Sequence, residues 1–327
     1  LMTTGTRNTL IGGLAGDALT TGSRNVAIGH LALSTEDANG YNVAIGYSSL
    51  MNLNAGADAY NTAIGYEAGA LVSTGVYNTI MGGLAGDALT TGNYNVAIGA
   101  YALSTEDTNG RNVAVGYSAL FSQDAGADAY NVAVGYQAGV NVTTGIRNIL
   151  IGAGTGDALT NGNYNTAVGH FALSAEDGHG NTALYTQNAG ANAYNTAIGY
   201  EAGLSVTTGT ENTIIGGLAG DALTTGSYNV AIGQHALGTE DAHGRNVAIG
   251  QEALRNQDAG ADAYNVAIGF VAGTAITTGV QNTILGGLAG DALTTGTGNI
   301  SIGYQSLTGE DTGSRNTAVG WRALKVL

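Results

Sequence analysis

A five-residue block runs along the chain: Asn, a β-branched residue, a small or apolar residue, a large apolar residue, then Gly, as in Asn25-Val26-Ala27-Ile28-Gly29. The Asn recurs nineteen times, at 8, 25, 42, 61, 78, 95, 112, 131, 148, 165, 181, 195, 212, 229, 246, 265, 282, 299 and 316. The step is usually 17 residues, sometimes 19, and once each 16 and 14. A fixed short period is the mark of a solenoid, in which each turn of chain stacks only on its neighbours. The β-branched and large apolar positions are two residues apart, so on a strand they share a face. β-branched residues fit a pleated, packed surface. The pattern therefore predicts one strand of four or five residues per turn, with Val/Thr and Ile/Val facing the interior.

The residue four after Asn is Gly in eighteen of the nineteen turns; Tyr185 is the exception. A second Gly precedes most of the Asn residues, as at Gly22, Gly40, Gly56 and Gly75. Each strand is thus expected between two glycine corners, where positive φ or close backbone approach is needed. Proline is absent, as suits a chain whose N–H groups are needed in ladders. A stacked Asn in every turn would let side-chain amides hydrogen-bond along the axis. Segments such as Leu31-Ala32-Leu33, Tyr101-Ala102-Leu103 and Glu252-Ala253-Leu254 read as a return strand.

Turns come in groups of four, 70 residues long, marked by Gly-Gly-Leu-Ala-Gly-Asp-Ala-Leu at 12–19, 82–89, 216–223 and 286–293. The groups are 8–77, 78–147, 148–211, 212–281 and a partial 282–327. The third is shorter, and an irregular turn is expected over 181–194, where Asn181-Thr182-Ala183-Leu184 runs into Tyr185 without the glycine corner. Nineteen turns at ~4.8 Å would make one elongated domain of roughly 90 Å over 1–327.

The residue two after Asn lies between the two inward positions and so is expected to face outward. It is Ala in thirteen turns, including Ala27 and Ala44, and a bulky Leu10, Ile80, Leu150, Ile214 or Ile284 in the first turn of each group. An outward apolar stripe of this length exceeds what monomers expose. These seven positions are therefore expected to bury against further copies of the chain; simple tolerance of Ala on a half-exposed strand is the competing reading.

The Asn-Val-Ala-Ile-Gly blocks at 42–46, 95–99 and 229–233 resemble the YadA-like head repeats of trimeric autotransporter adhesins, also found in tail fibres and structural proteins of bacterial viruses. The likeness covers essentially the whole chain. It implies an all-β, left-handed parallel β-roll wound as a homotrimer or longer filament. The family often carries Ser between Asn and Val, whereas here Val follows Asn directly and Tyr or Arg precedes it. The turns are also somewhat longer, and no heptad stalk or anchor barrel is visible.

Charge narrows the partners. The formal net charge is −15 with nine Lys plus Arg, so a basic groove for nucleic acid is missing and anionic membranes should repel the chain. No apolar run approaches a membrane span, no signal peptide is visible, and zero cysteines remove thiol chemistry. Tyr or Arg precedes Asn in fifteen turns. That column, with Tyr41, Tyr60, Tyr94 and Tyr130, reads as a stacked ladder, either a structural brace or a binding stripe. The longer third-turn loops offer Asp58, Asp128 and Asp262 as exposed contacts.

Acidic pairs recur once per group at 36–37, 106–107, 176–177, 240–241 and 310–311. Asp107 and Asp124 both lie twelve residues after their Asn, as do Asp241 and Asp258. Stacking would bring each pair together as candidate Ca²⁺ ligands; a solvated acidic edge is the alternative. The nine-residue Ca²⁺ repeat of β-roll toxins, phosphate loops, zinc spacing and a catalytic triad are all missing, and no cofactor is expected. The sequence thus points to a non-enzymatic fibre or adhesin head on a cell surface or virion, presenting its surface to a host protein or glycan. A polysaccharide-cleaving β-helix, which would need carboxylates gathered in one groove, and an ice- or mineral-binding face are the alternatives.

Overall fold

In the computed structural model the described residues are 3–174, 193–199, 201–309 and 311–325. The chain falls into two compact units, Leu1–Ser174 and Ala175–Leu327. The first holds a ten-stranded sheet, β1 to β10, and the second an eight-stranded sheet, β11 to β18, each in sequential strand order. Every strand is three residues long, from β1 (Thr9–Ile11), β2 (Val26–Ile28) and β3 (Val43–Ile45) to β18 (Thr317–Val319). Each unit is a parallel β-solenoid. The block at Asn181 and the irregular turn 181–194 lie largely outside the described residues.

The register follows the Asn spacing. Val26, Ala27 and Ile28 pair with Val43, Ala44 and Ile45. The 19-residue step does not disturb it, since β3 pairs with β4 (Thr62–Ile64) as Val43 with Thr62 and Ala44 with Ala63. Its two extra residues leave as an outward loop at Gly56, whose φ is +72° and which has no neighbour in contact.

The facing of the strand is the reverse of the sequence expectation. Ala27, Ala44, Ile80, Leu150, Ile214 and Ile284 have no exposed surface, and Leu10, in the first strand, is half-buried. All seven belong to the solenoid's own interior and are not available to a second chain. The Val/Thr and Ile/Val positions on either side of them are half-exposed or exposed, with Ile11 at 58% and Val168 at 58%.

Space explains the choice. A turn of 17 residues leaves little interior room, and Ala27 and Leu33 of one such turn are both fully buried. Where the middle residue is large, Gly stands opposite. A Cβ on Gly86 would sit 3.5 Å from Ile80 Cδ1, and one on Gly69, in the preceding turn, 2.8 Å from the same atom. Gly16 and Gly156 likewise adjoin Leu10 and Leu150. The bulky residue of each group thus fills room left by glycines and is not an external ring.

The glycine corners are steric necessities. Gly46 has φ +137°, and a Cβ there would lie 2.1 Å from the carbonyl oxygen of Gly65 in the next turn. Gly40 is required for close approach instead, its Cβ position being 2.0 Å from Ser23 O.

The expected return strand is absent among the described residues. At Leu31-Ala32-Leu33 the two Leu have φ of 60° and 52°, so the segment coils instead of extending. It still bonds along the axis: Leu31 N–H donates to Gly13 O of the preceding turn and Leu33 N–H to Ser49 O of the following one. Tyr101 and Leu103 repeat this with Gly83 and Ala119, and Glu252 and Leu254 with Gln234 and Ala272.

The expected Asn column is present, in a particular form. In the first unit each Asn from Asn25 to Asn165 donates its backbone N–H to the side-chain Oδ1 of the Asn one turn before, at 2.8 Å from Asn25 to Asn8 and 3.0 Å from Asn165 to Asn148. The second unit repeats it from Asn212–Asn195 to Asn316–Asn299. The Nδ2 donates to a carbonyl three residues before the next Asn, as from Asn78 to Gly92 O at 2.8 Å. In the 19-residue turns that carbonyl is displaced, and Nδ2 of Asn112 and Asn246 is left without a partner.

Ile80→Ala should lower stability by about 2–4 kcal/mol, the cost of a core truncation. Adding Gly86→Leu should not recover that loss, because a Cβ at Gly86 already lies 2.8 Å from Leu89 Cδ1. Denaturant midpoints of the two variants check both; an Ile80→Ala change near zero would place the residue on the surface.

Candidate functional site

Three features gather side chains that the repeat alone does not require: an aromatic face, a set of acid-capped loops, and two carboxylate clusters.

Among the described residues, the one before each Asn is left-handed, with φ of 64° at Tyr41 and 59° at Tyr94, which turns its side chain outward. Rings of successive turns then stack: Tyr41 on Tyr60 at 4.7 Å, Tyr60 on Tyr77 at 5.3 Å, and Tyr77 on Tyr94 at 5.2 Å. Arg111 continues the column, its guanidinium 5.4 Å from the Tyr94 ring and 5.5 Å from Tyr130. Arg24 caps the other end over Tyr41 and hydrogen-bonds its hydroxyl. The ladder expected from the sequence is therefore formed, and its rings remain about half exposed.

A second ladder stands five residues after Asn, beyond the strand's other end. His30 stacks on Tyr47 at 5.5 Å, Tyr47 on Tyr66 at 5.4 Å, and Tyr117 on Tyr136 at 5.5 Å. Sequence reasoning missed it, although the recurrence of Tyr directly after the invariant Gly was its signal. Strands such as β3, β4 and β8 (Val132–Val134) thus present their outward Val/Thr and Ile/Val positions between two aromatic columns, whereas in other turns Gly, Ala or Gln replaces the second ring.

The third-turn acids do not hang free. Asp128 Oδ1 accepts the N–H of Gly110 at 3.1 Å and its Oδ2 pairs with Arg111 Nε at 2.7 Å. Asp262 does the same with Gly244 and Arg245, at 3.1 and 2.8 Å, and the Arg245 bond holds its carboxyl below the usual range. Asp58 accepts Gly40 N–H at 3.0 Å. These residues are loop staples with one exposed edge.

The stacking of turns brings together the candidate cation ligands. Oxygens of Glu106, Asp107 and Asp124 lie within 4.8 Å of one another, as do ligand atoms of Glu240, Asp241, His243 and Asp258. Asp107 and Asp124, and likewise Asp241 and Asp258, are exposed at the rim. The two Glu residues are not part of a solvated edge: they have no exposed surface. They stand eleven residues after Asn, in the column that elsewhere carries the buried Leu53, Leu89 and Val142. One Glu106 oxygen accepts Asn109 N–H at 3.1 Å, and the other is buried without a partner; Glu240 behaves alike with His243 N–H.

Burial pushes the Glu106 carboxyl up to about 7, with the neighbouring Asp124 and Asp107 charges adding to it. Burial raises Glu240 as well, opposed by the His243 N–H bond and the His243 charge. A carboxyl whose folded value lies above its unfolded one is destabilised wherever it must ionise on folding. The penalty is nil below the unfolded value, grows between about 4.5 and 7, and is complete above that. At about 1.4 kcal/mol per unit it amounts to roughly 3 kcal/mol.

Gln is the natural occupant of this column one turn on, at the buried Gln123. In chelator-treated protein, Glu106→Gln should therefore raise stability at pH 8 by roughly 3 kcal/mol relative to the change it makes at pH 4. Unfolding curves at the two pH values check this; an equal effect at both would mean that Glu106 ionises freely.

No helix of the described residues is long and apolar enough to cross a membrane. Compared with protein-family models, curated proteins and solved structures, the chain finds no match in any of the three.

Proposed function

We propose that this chain is a non-enzymatic segment of a multichain fibre, built by packing the outward faces of its strands against sister copies. The observation that carries the reading is the exposed apolar strand face of each unit: Ile11, Met81, Val134 and Ile151 in the first and Ile198 and Val319 in the second are each at least a third exposed, and stacked aromatic rings flank part of the first unit's face. Single chains rarely leave contiguous apolar patches beyond a few hundred Å² in water, and the outward apolar row recurs turn after turn within each unit. A partner copy carries the same strand at the same axial spacing, so the face is self-complementary turn by turn.

Three copies are the number that the resemblance to YadA-like head repeats implies, and a left-handed wind comes from the same source. In this reading the fibre stands outside a cell or on a virion and presents its loops and unpaired aromatic edges to a host protein or glycan. The loops at 56–58, 126–128 and 260–262 are exposed, which supports their role as contacts.

Sedimentation of the purified chain should give a mass three times 32.5 kDa. Ile98→Asp with Val115→Asp, both on the outward face of adjacent strands, should shift it to one chain while far-ultraviolet dichroism stays β-rich. A folded wild-type chain that remains monomeric at micromolar concentration would contradict the assembly.

A further inference from the structure

We propose that the clusters Glu106–Asp107–Asp124 and Glu240–Asp241–His243–Asp258 are two copies of a divalent cation site of the Ca²⁺ class, each joining two consecutive turns.

The geometry suits one ion. Ca²⁺ takes oxygen ligands at 2.3–2.6 Å, so two oxygens on the same ion can be at most about 5 Å apart. The carboxylates of each cluster satisfy that limit, their ligand atoms all lying within 4.8 Å of one another. Two of the acids come from one turn (106–107, 240–241) and one from the next (124, 258), so an ion would tie the turns together on the loop side, away from the strands. The three carboxylates common to both clusters are hard oxygen donors with water free to fill the rim, which suits Ca²⁺ better than a soft metal; the His243 nitrogen lies beside the second set and is not counted as a Ca²⁺ ligand.

The acids alone would be an ordinary acidic edge. The buried Glu is what distinguishes them. Glu106 and Glu240 have no exposed surface, each uses one oxygen on a backbone N–H, and each keeps its second oxygen buried with no partner. An unpartnered carboxylate oxygen sealed from water is costly. The charges acting on Glu106 include those of Asp124 and Asp107, of like sign. A cation removes both penalties at once. In the second cluster His243 Nδ1 is also buried without a hydrogen-bond partner, 3.6 Å from Glu240.

The first four-turn group supplies an internal control. Glu36 and Asp37 are present there, and Glu36 is equally buried with its second oxygen likewise unpartnered, but Asn54 stands where Asp124 and Asp258 stand, so only the third carboxylate separates this group from the two proposed sites. Asn54 donates its backbone N–H to Ser73 O just as Asp124 does to Thr143 O. The fold therefore accepts Asn at this position, and an Asp→Asn change removes the ligand charge without disturbing the turn.

The test uses the full chain, stripped with chelator, in calorimetric titration and thermal unfolding with CaCl₂ up to roughly 10 mM, the weak end of known Ca²⁺ sites. NaCl of equal ionic strength serves as reference, because screening alone would relieve part of the repulsion. Ca²⁺ should raise the unfolding midpoint above the NaCl reference and release or absorb measurable heat. Asp124→Asn should remove part of the titratable binding, and Asp124→Asn with Asp258→Asn the Ca²⁺-specific midpoint shift. Three results would overturn the proposal: no shift beyond NaCl in the wild-type chain, a full shift retained in the double variant, or an equal shift with MgCl₂, which would mean diffuse charge neutralisation.

Discussion

The structure depends on one relay of buried amides. A solenoid turn must bring its chain past the corner before the strand, and the backbone N–H at that corner points along the axis with no strand partner. The Asn side chain of the turn below meets it with Oδ1, at 2.8–3.1 Å in every described link. In the 17-residue turns its Nδ2 also satisfies a backbone carbonyl three residues before the next Asn. One buried side chain therefore closes two backbone groups that water cannot reach, which is the condition for burying a polar chain at all. Asp has no Nδ2 donor, Gln is a methylene too long, and Leu would orphan both groups. That is why the residue does not vary while its neighbours do.

The strand, the corners and the ladders follow from that anchoring. Fixing Asn at one height per turn aligns Val, Ala and Ile of successive turns without slippage. The short interior then selects Ala, or Ile and Leu where glycines make room. The residue before Asn is forced into a left-handed conformation that costs on the order of 1 kcal/mol for a side chain. Stacking of Tyr on Tyr and Arg on Tyr along the column offsets that cost. Gly298, the one described glycine in this column, makes no such contact and needs none.

Much of this was legible in the sequence: the period, the strand position, the parallel stacking, the Asn column and the Tyr/Arg ladder. The facing was not. A three-residue strand offers two alternating sets, one large and one small, and the usual rule places the large set inside. Here the interior is too narrow for the large set. The glycines around each bulky residue, Gly16 beside Leu10 and Gly69 and Gly86 beside Ile80, were the overlooked signal, because room is made only for a side chain that points inward. The buried Glu was hidden for a similar reason. Read beside Asp107, Glu106 looks like solvated charge; read along the column with Leu53, Leu89 and Val142, it stands in a core position. Sequence adjacency and axial adjacency are different in a solenoid, and the second decides burial.

The relay is tested most directly by amide hydrogen exchange in an Asn95→Ala variant. That change deletes the Oδ1 that accepts Asn112 N–H at 3.0 Å and the Nδ2 that donates to Asn109 O at 3.1 Å. The relay account predicts a strongly protected Asn112 amide in the wild-type chain, and in the variant a loss of that protection with about 1–3 kcal/mol of stability. An Asn112 amide that exchanges as slowly in the variant as in the wild type would contradict it.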